Sequence, residues 1–477
     1  MAEVKQQSRK KKFIKDFGVY SIGVLGSKLI SFLMIIFYAF FIAKENLGYY
    51  DICFQTCMLL SPLVTLQLRD GAFRHLIIST NDDERKEVIT FSLNTMWISL
   101  IVIVTISLLL YAIHPIRYQW MITVMLMLMA MCDVILHVVR GLGNNQTFVK
   151  ANLICTVCTA LLSVFLVAVV KWDITGIFIA NTLSRVPALI YSEYKERIFK
   201  KYYRRNIDTR EIKRKLIRYC LPLIPVAVCW WMTSTVNRYF VFGYLGEGMT
   251  GIYAVATKLA SILQLLGIIF YQTWQENAIQ QYHSKDRNTF FSKVFNSYVT
   301  ILSFVLIFYV FGIRLIYGFL PDSYQSGSQY LYLIGISTLL FTMTTYFDLG
   351  YQCAKETKRA IKGIFFTAVI NVGLNLTLTR FFGIYGVLAS TMTAYTFLII
   401  YRYFDTKRYF TIKISKTSIL HLLIVIAGAI VYNTKEIPWW GDLAFIALCL
   451  IVLFKTIPVR DITNFISKKI GHKMRPG

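Results

Sequence analysis

Carboxylates are scarce in this chain. Its 477 residues carry 25 Asp and Glu against 51 Lys and Arg, a formal net charge of +26. The sequence also lacks a phosphate-binding Gly-Lys motif, paired carboxylates and any cluster with metal-ligand spacing. Nothing offers an obvious place for covalent chemistry, so the chain reads as a non-enzyme with no cofactor and no metal. Long loops are missing on one side of the predicted spans, where the longest runs near 317–327. That shortness argues against a membrane glycosyltransferase or polysaccharide polymerase. The nine Cys lie mostly inside apolar segments, where they act as small packing residues. Cys155 and Cys158 are spaced like a redox or metal pair, but no second Cys pair or His partner lies nearby.

What the chain does have is apolar surface, with a mean hydropathy of +0.54. A soluble nucleic-acid binder would explain the charge, and a greasy core would explain the hydropathy. A polytopic membrane protein with basic cytoplasmic loops explains both, and no nucleic-acid partner is called for.

About fourteen apolar segments are long enough to cross ~30 Å of hydrocarbon. They run over 17–43, 49–69, 88–112, 118–140, 149–170, 174–191, 219–241, 251–273, 294–315, 328–350, 361–380, 384–403, 417–432 and 440–457. The first follows a basic stretch, as a signal peptide does. It is too long for a signal h-region and has no small-residue cleavage site, so it reads as an uncleaved span. Six cations fall on one side of the spans (Lys44, Arg117, Lys171, Arg314, Arg380, Lys435), and four lie within spans. The others fall on the opposite side, which places both termini in the cytoplasm.

A weak repeat recurs at a little over 200 residues. Leu47-Gly48-Tyr49-Tyr50 opens the second span and Thr250-Gly251-Ile252-Tyr253 the eighth, while Gly176-Ile-Phe-Ile-Ala lines up with Gly386-Val-Leu-Ala-Ser. The expected fold is all-α: two six-helix bundles related by a pseudo-two-fold along the membrane normal, plus two extra C-terminal helices. The domains are then a basic N-terminus 1–16, a six-helix lobe 17–191, a basic cytoplasmic linker 192–218, a second lobe 219–403, and 404–477 with two helices and a basic tail. The linker's charge suits a solvated amphipathic helix attracted to anionic lipid.

A charge deep in a span costs roughly 2.5–3.5 kcal/mol on insertion scales, so Lys28, Arg185, Arg238 and Lys258 should face a water-filled cavity. Lys28 heads a polar stripe with Ser21 and Ser31, and Lys258 another with Ser261 and Gln272. Arg238 is also near enough to the outer surface to reach it. Pro222 and Pro225 should kink the preceding stretch. Asp133, His137 and Arg140 share one helix face, as candidates for gating or ion coupling. Arg69, Asp70 and Arg74 follow the second span, and Arg69, Arg74 and Arg140 can equally snorkel to head groups. Asn371 and Asn375 suit helix–helix hydrogen bonding. Against the four in-span cations stand few carboxylates, Asp133 and Asp348, so the cavity suits an anion, and Arg and Lys hold phosphate oxygens well.

Three stretches resemble a known family. They are Gly18-Val-Tyr-Ser-Ile-Gly-Val-Leu-Gly-Ser-Lys28-Leu running into Leu47-Gly48-Tyr49-Tyr50, then Leu66-Gln67-Leu68-Arg69-Asp70-Gly71-Ala72-Phe73-Arg74, and Gly251-Ile-Tyr253-Ala-Val-Ala-Thr-Lys258-Leu. The chain resembles the polysaccharide-biosynthesis, O-antigen repeat-unit flippases (Wzx type) of the multidrug/oligosaccharidyl-lipid/polysaccharide exporter superfamily. Where that family usually has a glycine before the motif leucine, this chain has Gln67. The resemblance implies a multi-pass protein of the bacterial cytoplasmic (inner) membrane that moves an undecaprenyl-pyrophosphate-linked oligosaccharide to the outer leaflet by alternating access. It places Lys28, Arg74 and Lys258 in the motifs, while Arg185 and Arg238 rest on the charge argument. Implied partners are membrane lipid, a polysaccharide polymerase and chain-length machinery. The rival readings are a cation-coupled multidrug exporter and a peptidoglycan-precursor flippase.

Overall fold

In a computed structural model of the chain, the structure describes residues 26–434 apart from 80, 206 and 355, together with 447 and 451. The N-terminus 1–16, the opening of the first predicted span with Ser21, the span 440–457 and the basic tail lie outside the described residues. So does the side chain of Gln272.

The described residues are helical throughout, with short connections. In order they form α1 Gly26–Phe41, α2 Lys44–Val64, α3 Leu68–Ile78, α4 Asp82–Ile113, α5 Gln119–Gly141, α6 Asn145–Ser163 continuing as a π-helical turn Val164–Val169, α7 Asp173–Leu183 and α8 Arg185–Glu196. There follow α9 Ile198–Lys201, α10 Arg210–Cys220, α11 Leu223–Ser234, α12 Asn237–Gln281, α13 Arg287–Gly318, α14 Asp322–Gln325, α15 Leu331–Cys353, α16 Thr357–Thr406 and α17 Lys416–Thr434. Among the described residues nine helices are long and apolar enough to cross a membrane, or ten if the bent pair α2 and α3 counts as one.

Two of those helices are hairpins. At Gly246 (φ 84°) α12 leaves helical geometry, and Arg238 donates to Thr257 at 3.1 Å. In a straight helix those residues would stand about 28 Å apart, so the chain doubles back at the glycine. At Gly383 (φ 56°) α16 breaks likewise, and a Cβ on Gly386 would fall on the Leu378 carbonyl. Left-handed φ is what glycine supplies without steric cost. These reversals fall between the predicted spans 219–241 and 251–273 and between 361–380 and 384–403.

The chain folds as two compact units. The first comprises 1–262, 320–327 and 364–391. Its axis is α5, which packs against α2, α3, α4, α6, α7 and α8. Buried Met125, Met129, Ala130, Val134 and Val138 explain that position: the helix is apolar around most of its circumference. By contrast α4 turns Ile98, Ile101, Ile106 and Leu109 outward. An exposed apolar face of that extent is what lipid requires and water penalises. Its other end is polar: the Asn81 side chain caps the helix by accepting from Asp83 N at 3.1 Å, and Asp82, Asp83 and Glu84 fill the first turn. In α10, Ile212, Leu216 and Cys220 are buried, while the helix is rich in Lys and Arg, the amphipathic pattern expected of the linker.

The second unit comprises 263–319, 328–363 and 392–477. Here α13 packs on α15 and α17. Its core is aromatic, with Tyr346 among Phe270, Trp274, Phe295 and Tyr298. Arg402 is fully buried, 2.8 Å from Asp348, and it donates to the Thr344 carbonyl at 2.8 Å. The start of α17 is fixed by Asn296 Oδ1, which accepts from Ser415 N at 2.9 Å and Ser418 Oγ at 2.8 Å.

Candidate functional site

The site grows from the face of α2 that carries Asp51 and Gln55, one turn apart. Asp51 lies 2.7 Å from Arg238 Nε, with the two side chains 17% and 15% exposed. Gln55 Nε2 donates to Asp51 at 3.3 Å, and Trp231 Nε1 donates to the Gln55 carbonyl at 3.2 Å. Thr56 and Tyr239 share a further hydrogen bond of 2.6 Å. These contacts stitch α2 to α11 and to the first arm of α12. The second arm brings in Thr257, which accepts from Arg238, and then Lys258.

Lys258 is solvent-accessible, yet its ammonium sits deep among protein atoms, within electrostatic reach of Lys28, Arg238 and Asp51. Lys28, on α1, is exposed as well. The structure therefore brings Lys28, Arg238 and Asp51 into the electrostatic neighbourhood of Lys258, with Arg238 paired to Asp51. Arg238 is neutralised by Asp51, while Lys28 and Lys258 repel each other and leave the locality positive.

The other expected cations lie elsewhere. Arg185 opens α8 and sits in the electrostatic neighbourhood of Tyr50, Cys57 and Cys132. Tyr50 and Cys57 occupy a different face of α2 from Asp51 and Gln55. Arg74, on α3, stacks over the Tyr219 ring at 4.5 Å. Following α2 and α3 through their 50° bend, it stands about 30 Å from Asp51 at 1.5 Å per residue. One pyrophosphate cannot touch both ends.

The predicted gating group does share a face of α5. Asp133 accepts from Ser61 Oγ at 2.7 Å, tying α5 to α2. His137 Nδ1–H donates to the Asp133 carbonyl at 2.7 Å, and its ring meets Phe148 edge-on. Arg140 lies over the rings of Phe73 and Phe148, at 4.5 and 5.5 Å. Arg69 and Asp70 are the charges facing His137 from the α2–α3 bend. The chain there is unusual: Leu66 and Gln67 both have positive φ, 53° and 56°.

Sequence reasoning missed Asp51, although it stands only three positions inside the predicted span 49–69. It also missed Asn237. That buried residue donates to Thr391 at 2.7 Å, and its Oδ1 accepts from Asn371 and Asn375, each at 3.1 Å. The helix–helix hydrogen bonds expected of Asn371 and Asn375 are thus present, with Asn237 as their hub.

Helical hairpins, outward apolar faces and internal charge define a multi-pass membrane protein with a transporter fold. Solved structures with the same fold include a lipid II flippase MurJ in an inward closed conformation, with TM-score 0.69, 14% identity, and 93% of this chain and 99% of that one covered. An inward-facing multidrug resistance MATE family transporter of the MOP superfamily has TM-score 0.60 and 15% identity, over 82% of this chain and 94% of the other. A mutant of the Vibrio cholerae MATE transporter VcmN has TM-score 0.58 and 14% identity, over 84% and 97%. At these identities the likeness is one of fold. No curated protein matches the chain. The family described as "Polysaccharide biosynthesis protein" matches residues 13–274, more than half of the sequence, and the chain belongs to that family.

Proposed function

We propose that the protein is a flippase that carries an undecaprenyl-pyrophosphate-linked polysaccharide repeat unit from the cytoplasmic to the outer leaflet of a bacterial inner membrane. The observation that carries this is the grouping of Lys28, Arg238 and Asp51 about Lys258, with Arg238 paired to Asp51, in a chain of the polysaccharide biosynthesis family. A wet, positive pocket would receive a pyrophosphate, and paired bundles would rock about it to expose it to each side in turn. Both termini would face the cytoplasm, where the basic loops meet anionic lipid. A polymerase with its chain-length machinery would take the product. Arg185 would act from its separate position beside Tyr50, and Arg74 as an entry contact near the cytoplasmic interface. Asp133, His137 and Arg140 would couple the motion of α5 to the α2–α3 bend.

The test is complementation of a flippase-null polysaccharide strain with wild type and with Lys28→Ala, Arg185→Ala and Lys258→Glu at equal expression. Rescue by wild type and loss in the variants supports the reading. Rescue by every variant demotes these cations to structural residues. Failure of wild type in a matched host turns the assignment to a peptidoglycan-precursor flippase or a cation-coupled multidrug exporter. Vesicle flipping that ignores both proton and sodium gradients would remove ion coupling through Asp133 and His137.

A further inference from the structure

Gly48, Asp51, Gln55 and Thr56 of α2 meet Gly251, Arg238, Trp231 and Tyr239. About 12 Å of α2 is thereby held against α11 and α12. Further along, at Met58, Leu59 and Leu63, a cavity of about 430 Å³ parts α2 from Val226 and Trp230 of α11. Lys258, about 10 Å past Gly251 on the second arm of α12, is solvent-accessible. The seam is shut at the end nearest the Gly246 turn and open at the other.

Polar side chains cross the shut end. Arg117, in the turn between α4 and α5, is fixed by its own neighbours. Its Nη2 donates to Asn46 Oδ1 at 3.0 Å, and its guanidinium lies over the Tyr118 and Tyr49 rings at 4.9 and 5.4 Å. Its carbonyl accepts from the Tyr49 hydroxyl at 2.7 Å. Asn46 donates in turn to Asp173, at the start of α7, at 2.5 Å. Of these side chains Arg117 also reaches the α12 hairpin: Nη1 lies 3.8 Å from Glu247, directly after the Gly246 turn. The guanidinium is ordered whether or not Glu247 is there, so making or breaking the pair freezes or frees little besides one Glu side chain.

Both partners stay wet, 48% and 36% exposed. An exposed pair is weak and screened by salt, with a Debye length of ~10 Å at 0.1 M and ~3 Å at 1 M. Weakness suits a latch. Interconverting states must be nearly balanced, and a bond worth a few-fold in population tips them without locking either.

We propose that Arg117 and Glu247 form an electrostatic latch across an outer gate, shut in this structure, and that the ionic strength of the outer solution sets its strength. The Gly48–Gly251 crossing gives the seam its fit, and the latch sets how readily it parts. Both latch residues lie on the side opposite the basic loops, which the proposed topology makes the outer one. The latch rests on the alternating-access reading, in which two bundles part on one side of the membrane as they meet on the other.

Cys53 is a native reporter of the seam. It is 7% exposed, one turn past Tyr49 on α2, and in the electrostatic neighbourhood of Glu247 and Arg117. The experiment measures how fast an impermeant maleimide modifies Cys53, read by peptide mass spectrometry. The full-length protein is held in proteoliposomes with the latch face outward. Raising NaCl from ~0.05 to ~1 M on both sides of the membrane should speed wild-type labelling about threefold. At low salt Arg117→Gln and Glu247→Gln should each label about threefold faster than wild type and respond little to salt. The double variant should label no faster than either. Should Arg117→Gln lower the unfolding midpoint, Glu247→Gln decides, since it leaves the contacts of Arg117 with Asn46, Tyr49 and Tyr118 in place. Equal rates and an equal salt response in wild type and Glu247→Gln overturn the latch, and additive effects of the two changes overturn the pairing. Labelling that follows the pair in a protein that fails to rescue a flippase-null strain keeps the latch and sinks the substrate reading. Rescue with no such effect does the reverse.

Discussion

Gly48 and Gly251 pack backbone to backbone, and the contact is reciprocal. A Cβ on Gly48 would strike the Glu247 carbonyl, and one on Gly251 the Lys44 carbonyl, in each case four residues before the opposite glycine. The two glycines that open the repeated motifs therefore meet each other across a local two-fold relation. Neither has room for a methyl group. Gly48→Ala and Gly251→Ala should each destabilise the protein by about 1–3 kcal/mol through overpacking. Gly243→Ala, in open space on the same helix as Gly251, should be neutral or slightly stabilising. Thermal unfolding in detergent compares the three, and equal midpoints would show that the helices separate without cost.

Asp51 and Arg238 form an ion pair that is mostly removed from solvent. Removing one partner leaves the other uncompensated, so each single change (Asp51→Asn, Arg238→Gln) should cost more than half of the double change. A double-mutant cycle on unfolding should give a coupling of about 0.5–3 kcal/mol. Strict additivity would mean that the pair is spectator to the fold. In transport, Asp51→Asn should tighten the hold on an anionic substrate by freeing Arg238, seen as a lower KM with a lower kcat.

Arg402 has a side chain with no exposed surface and a single carboxylate partner, Asp348. Breaking a buried pair from one side typically costs about 3–5 kcal/mol. Asp348→Asn should therefore reduce the yield of folded protein more than any single change at the Lys28–Lys258 cluster. Size-exclusion profiles of the variants at matched expression measure this directly, and an unaltered monodisperse peak would contradict it.

The helices were legible because a membrane demands long apolar runs, and hydropathy reads such runs one residue at a time. Among the described residues, the predicted segments from 17–43 to 417–432 all overlie helix, and the reversals at Gly246 and Gly383 fall in the gaps between them. Pairing was not legible. Nothing local to Asp51 announces Arg238, far along the chain, and Arg402 reads as a basic residue at the end of its span although it is fully buried. The cation excess was consequently overstated, since one of its members carries its own counter-charge. Charge counting also merged Arg74 with Lys28 and Lys258, because it has no measure of distance along a bent helix.

That distance makes a prediction. Lys258→Ala should lower complementation far more than Arg74→Ala, since Arg74 stands on Tyr219 at the other end of the α2–α3 pair. Lys258→Arg should restore most of the loss by returning the charge. Equal defects at positions 74 and 258 would mean that the substrate is read along its whole path, not at one place.

Gln67 occupies a left-handed conformation, φ 56° and ψ 26°. Left-handed backbone costs a residue with a Cβ roughly 1–2 kcal/mol, and glycine escapes that cost. Against this, Gln67→Gly loses the hydrogen bond to Asp70 and gains about 0.4–1 kcal/mol of unfolded-state entropy. The terms oppose, so Gln67→Gly should shift stability by less than about 1 kcal/mol. Gln67→Val loses the same hydrogen bond and brings a β-branched side chain into a conformation it tolerates poorly, so it should destabilise by about 2 kcal/mol or more. A Gln67→Val protein that unfolds no more readily than Gln67→Gly would show that the bend between α2 and α3 does not hold this backbone in the left-handed region.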